Sequence, residues 1–176
     1  MAGVIEAVIV FVLSNFPLTA LVLGFIVAII AAARAKESAT GALVVEKLLS
    51  WYVFFSIGLS FLYNSVIHVF FGRMAASFIG WAVSPFQFEV GVASLGFAVV
   101  GFLAAWRGFE LRLAAVVGPA IFLLGAAVGH VHQMIAAHNY APGNAGIIFY
   151  MDIVVPLVGF LLLWLDRRAA PRPSRG

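Results

Sequence analysis

Five stretches of mainly apolar residues dominate this sequence: Phe16 to Ala33, Leu48 to Phe71, Pro85 to Trp106, Leu113 to Ala137 and Gly146 to Leu165. Each is close to the roughly 20 residues that an α-helix needs to cross a hydrocarbon core. With 64% hydrophobic and 10% charged residues, a chain of 176 residues cannot hide that much apolar surface in one water-soluble core. The expected fold class is all-α, a polytopic membrane helix bundle with five transmembrane helices. A single transmembrane domain is expected over 1–165, followed by a basic, Pro-rich cytoplasmic tail over 166–176, with no internal repeat. Val4 to Leu13 either extends the first span past Pro17 as a long tilted helix or lies in the interface. Pro17 and Pro85 fit helix starts. Pro119 and Pro156 fall inside spans, where neighbouring helices satisfy the freed carbonyl groups. The opening "MAGVIEAVIVFVLSNF" has no basic leader region and no A-x-A-like cleavage site, so it is expected to stay in the mature chain.

The basic residues set an orientation. Arg34, Lys36 and Lys47 flank the first connection, Arg107 and Arg112 the third, and Arg167, Arg168, Arg172 and Arg175 occupy the tail. If the helices alternate, all of these share one side and Arg73 lies on the other. The positive-inside rule then places the N-terminus out and the C-terminus in, in a bacterial inner membrane. Trp51, Trp106 and Trp164 fall at inner ends and Trp81 at the outer side, as an aromatic belt requires. The pI of 9.7 therefore reports topology and contact with membrane lipids. Nucleic acid is not an expected partner, because the charges are spread over three inner connections.

Cysteine is absent, which excludes disulfides and thiolate metal sites. The chemistry must come from a few polar groups at one depth. His68 lies about one turn before the outer end of the second span and Glu89 about one turn after the outer start of the third. His130 is roughly two turns from the outer end of the fourth, and Asp152 is under two turns into the fifth. Ser56, Ser60, Asn64 and His68 recur every four residues, a stripe expected to turn away from lipid. Glu89, Ala93 and Gly96 form a small-residue stripe suited to close helix contact. Gly118, Gly125 and Gly129 share a face of the fourth span, and Asp152, Pro156 and Gly159 share one of the fifth. His130 and His132 cannot both point at one centre. Asn64, Gln87, Gln133 and Met134 are near enough to surround the cluster, whereas His138, Asn139, Tyr140 and Asn144 read as loop and turn residues.

One such polar group in a bundle often makes only an interhelical hydrogen bond. Several at one depth are costly without partners and point to a site. Imidazoles and carboxylates are the ligand set for zinc, iron or manganese, so His68, Glu89, His130, His132 and Asp152 are the expected ligands of a divalent metal ion. No di-iron Glu-x-x-His pair and no H-E-x-x-H motif accompanies them. Haem b, held by His68 and one of His130 or His132, is a second reading, disfavoured by the acids beside it. A third reading needs no cofactor, with carboxylate and imidazole passing protons to a quinol or a transported ion.

The segments "SPFQFEVG", "GHVHQM" and "NYAPGNAGIIFYMDIVVP" resemble those of small prokaryotic multi-helix membrane proteins that form a family of unknown function. That resemblance implies a multi-helix membrane fold and transfers no catalytic residues. The expected function is a membrane metalloprotein with an outer-leaflet His/Glu/Asp site acting on a lipophilic or quinone-like molecule. The competing readings are a proton-coupled or ion-conducting homo-oligomer without fixed metal, and an accessory subunit of a larger membrane complex.

Overall fold

The computed structural model describes residues 2–35 and 40–169, and all regular structure among them is helical. The helices are α1 (Ala2–Ser14), α2 (Phe16–Ala33), α3 (Gly41–Tyr52), α4 (Ser60–Phe70), α5 (Gly72–Ile79), α6 (Phe86–Ala104), α7 (Phe109–Ala137), α8 (Pro142–Ala145) and α9 (Ile147–Ala169), with a π-helical stretch, Val53–Leu59, joining α3 to α4. Five segments are long and apolar enough to cross a membrane, the mark of a multi-pass membrane protein: Phe16–Ala33, Gly41–Phe70, Phe86–Ala104, Phe109–Ala137 and Pro142–Ala169. The second begins earlier than its hydropathy implies because Thr40 caps it, its hydroxyl accepting the Leu43 amide at 3.3 Å. Helix α9 continues through Asp166–Ala169, so these residues are helix rather than tail. Residues 170–176, with Arg172 and Arg175, lie outside the described residues, as do Lys36 and Glu37.

The N-terminal apolar run is a separate helix that breaks at Asn15 (φ −121°, ψ 40°). The cause is Pro17. It has no N–H to offer the Leu13 carbonyl one turn back, and the Tyr63 hydroxyl donates to that carbonyl instead, at 2.9 Å. Phe16 stacks on the Tyr63 ring, centroids 4.2 Å apart, which fixes the break against α4.

The tightest core lies between α3, the π-helical stretch, α7 and α9, where Leu49, Tyr52, Val53, Ile57 and Val116 are buried. Tyr52 donates its hydroxyl to the Val155 carbonyl at 2.8 Å. Gly159 makes room for it, since a Cβ there would sit 2.6 Å from the hydroxyl oxygen. The π-helical stretch crosses α6 just as closely: a Cβ on Gly101 would lie 2.6 Å from the Gly58 nitrogen.

The inward faces partly differ from those expected. On α6 the buried stripe is Gly91, Ser94, Ala98, Gly101 and Ala104, while Glu89, Ala93 and Gly96 are exposed. A two-residue offset rotates a helix position by about 200°, so the small-residue pattern alone picks the wrong side. On α7 the buried face runs through Val116, Pro119, Ala120, Ala127 and His130, and Gly125 is exposed. The α9 face of Asp152, Pro156 and Gly159 is buried as expected, and Ser56 and Ser60 are buried on theirs.

Arg112, which flanks the third connection, is buried in the first turn of α7. Its Nη2 donates to Ser50 Oγ at 2.7 Å, to the Ala105 carbonyl at 3.0 Å and to Glu46 Oε1 at 3.2 Å, which ties α7 to α3.

Candidate functional site: an apolar cavity with two histidine pairs

At the end of the bundle that carries α5 and α8, a cavity of about 830 Å³ opens among α1, α2, α4, α5, α6, α7 and α9. Its lining is mostly aromatic and aliphatic, with Phe122, Leu123, Ile148 and Met151 among the contributors. Among the described residues no Lys, Arg or Glu lines it. The size falls within the range of small-molecule sites, which are typically apolar with a few convergent polar groups.

Those polar groups form two pairs. Helix α4 brings His68 to α6, where its Nδ1 is 2.7 Å from Gln87 Oε1. Helix α7 brings His130 to α9, where its Nε2 lies 3.4 Å from Asp152 Oδ2, with both side chains at least nine-tenths buried. Between them Asn64 bonds to Ser94 Oγ at 2.9 Å. Before α4, inside the π-helical stretch, Ser56 Oγ is buried with no hydrogen-bond partner among the described residues. Such stretches recur at functional sites because their wider turn re-aims side chains.

His130 is held from behind by a residue that sequence reasoning assigned to the loop. Asn144 is completely buried. Its Oδ1 is 2.8 Å from His130 Nδ1 and accepts the Trp81 indole N–H at 2.9 Å. Its Nδ2 donates to the Asn139 carbonyl at 2.9 Å and to the His130 carbonyl at 3.3 Å. Pro142 starts the short helix α8, which folds the chain back over α7 and delivers Asn144 to this position. Asn139 continues the network, donating to the Ile79 carbonyl at 2.9 Å beside Gly80, whose φ of 75° ends α5.

Of the five expected ligands, the cavity is lined by His68, His130 and Asp152, and only His130 and Asp152 touch one another. Glu89 and His132 are exposed. Each lies two residues from an inward group, Gln87 and His130 respectively, and so points to the opposite side of its helix. Gln133 and Met134 are not among the lining residues, whereas Asn64 and Gln87 are. Among the described residues no group of three or more His, Asp or Glu side chains is placed to hold a metal ion. The expected five-ligand centre is thus resolved into a His–Asp pair, a His–Gln pair and two outward-facing groups. What the arrangement offers chemically is an apolar chamber with hydrogen-bonding groups on two of its walls.

A family model described as a family of unknown function (DUF6790) matches residues 14–172. No curated protein and no solved structure matches the chain.

Proposed function

The chain belongs to the DUF6790 family, and we propose that it takes a lipophilic molecule from the bilayer into this cavity. The observation that carries the reading is the combination of a mostly apolar chamber of about 830 Å³ with His68–Gln87 and His130–Asp152 at its walls. An apolar ring or chain would occupy the Phe122 and Met151 region, and a polar head would meet one or both pairs. Arg34, Lys47, Arg107, Arg112, Arg167 and Arg168 fall at connections that alternation of the spans puts on one side, which supports an orientation with the N-terminus out and the C-terminus in, in a bacterial inner membrane. A fixed metal forms no part of this reading, because only two of the five candidate ligands are in contact.

Ala126 lines the chamber with a methyl group that makes no hydrogen bond, so a bulky replacement fills space without breaking one. Ala126→Phe is expected to weaken equilibrium binding of tritiated 4-dodecylphenol to protein in nanodiscs by ~tenfold or more, while thermal stability changes by only about 1–3 kcal/mol. Unchanged binding in a folded Ala126→Phe variant would remove the chamber as the binding site.

A further inference from the structure

We infer that the head of the bound molecule is a hydrogen-bond donor, an alcohol or phenol hydroxyl, received by Oδ1 of Asp152. The inference rests on the cavity being a lipophile site and narrows its occupant. It follows from counting hydrogens outward from Trp81. An indole N–H only donates, so the Asn144 atom 2.9 Å from it is an oxygen. The other amide atom faces two carbonyl oxygens and is therefore the NH2 group. A flipped amide would set donor against donor and acceptor against acceptor. His130 Nδ1, 2.8 Å from the same Asn144 oxygen, must then carry a hydrogen.

That leaves Nε2 of His130 facing Asp152 Oδ2. One proton satisfies this contact, either on Asp152 and donated to a bare Nε2, or on Nε2 and donated to a carboxylate. The pair is neutral overall in both arrangements. With no proton, a lone pair would confront a carboxylate in an apolar chamber that no described lysine or arginine lines. With two, an unpaired positive charge would be buried. The remaining titratable groups in the lining are His68, engaged by Gln87, and Tyr63, whose hydroxyl is given to the Leu13 carbonyl. Neither supplies a compensating charge.

In both arrangements the proton lies on the 3.4 Å contact between Nε2 and Oδ2, longer than an ordinary hydrogen bond, and Oδ1 carries none. Asp152 lines the cavity and is 6% exposed, and no hydrogen bond among the described residues reaches its Oδ1. The pair therefore presents an acceptor. A hydroxyl satisfies it, an ether cannot, a carboxylate repels it, and an ammonium would bring an uncompensated charge. The His68–Gln87 contact is less selective. Among the described residues no second bond fixes the Gln87 amide, so that pair can donate or accept.

The test compares equilibrium binding of tritiated 4-dodecylphenol and its methyl ether to the full chain in nanodiscs, scored over empty nanodiscs. The wild-type protein is expected to favour the phenol by ~tenfold. Asp152→Asn should retain that preference, because its amide N–H can donate to Nε2 while its oxygen still faces the cavity. Asp152→Leu should narrow that preference to what the bare Nε2 of His130, the acceptor left on that wall, can supply. Equal binding of phenol and ether by the wild type would overturn the donor assignment and leave the lipophile site standing. Loss of the preference in Asp152→Asn would overturn the neutral pair. Binding of neither probe above empty nanodiscs would remove the site itself, and the inference with it. The wild-type comparison decides the matter even where the Leu variant fails to fold.

Discussion

Asn144→Leu is expected to destabilise the fold by about 3–5 kcal/mol, because each buried polar group left without a partner costs roughly 1–3 kcal/mol. The substitution strands the Trp81 indole N–H, His130 Nδ1 and the Asn139 carbonyl together, at a residue with no solvent access to compensate. Leucine has the same branched shape and is bulkier, so no cavity forms and the loss reads broken hydrogen bonds together with some overpacking. Asn144→Asp keeps acceptors facing Trp81 and His130 but loses both donated bonds, and is expected to fall between wild type and Asn144→Leu. Thermal unfolding in one detergent ranks the three proteins. A wild-type midpoint for Asn144→Leu would show that the network does not hold α8 to α7.

Arg112→Ala should be the second severe substitution, at about 2–3 kcal/mol. Its guanidinium is buried and serves Ser50, the Ala105 carbonyl and Glu46 at once. Removing one member of a buried charge pair can cost roughly 3–5 kcal/mol, but solvent rehydrates a partner that stays accessible. Glu46 keeps 36% side-chain exposure, so the smaller figure applies. Arg112→Met retains most of the packed stem and is expected to lose about half as much as Arg112→Ala. Denaturation of both variants under matched conditions checks the order. Equal stability of Arg112→Ala and wild type would show that α7 and α3 are held by apolar packing alone.

The spans were legible in the sequence because hydropathy over about 20 residues is a local property, and the α9 face followed from residue types a turn apart; Pro17 marked a helix start without deciding whether Val4 to Leu13 continued that span. Rotation of α6 and α7 was not. Glycine and alanine are compatible with a packed or a lipid-facing position, so a stripe such as Glu89, Ala93 and Gly96 carries no sign of which side is inward. His130 and His132 posed the same problem, and only the contact with Asp152 on another helix resolves it. Asn144 was hidden for a different reason. "APGNAG" carries every mark of a surface turn, and it is the return of α8 over α7 that buries the asparagine. The buried Arg112 was concealed by its position at the end of an apolar run, where a solvated charge is the ordinary outcome. Its partners, Glu46 and Ser50, precede it by 66 and 62 residues.

The central claim is that a lipophile occupies the chamber beside His130 and Asp152. Photolabelling tests it most directly, using a 4-dodecylphenol analogue with a diazirine in the alkyl chain, irradiated with the protein in nanodiscs and mapped by peptide mass spectrometry. The expected adducts fall on the chamber residues Phe122, Ile148, Met151 and Val155 and are suppressed by excess unlabelled phenol. Adducts confined to outward-facing positions such as Ile29, Ile121 and Val128, and indifferent to the competitor, would contradict it.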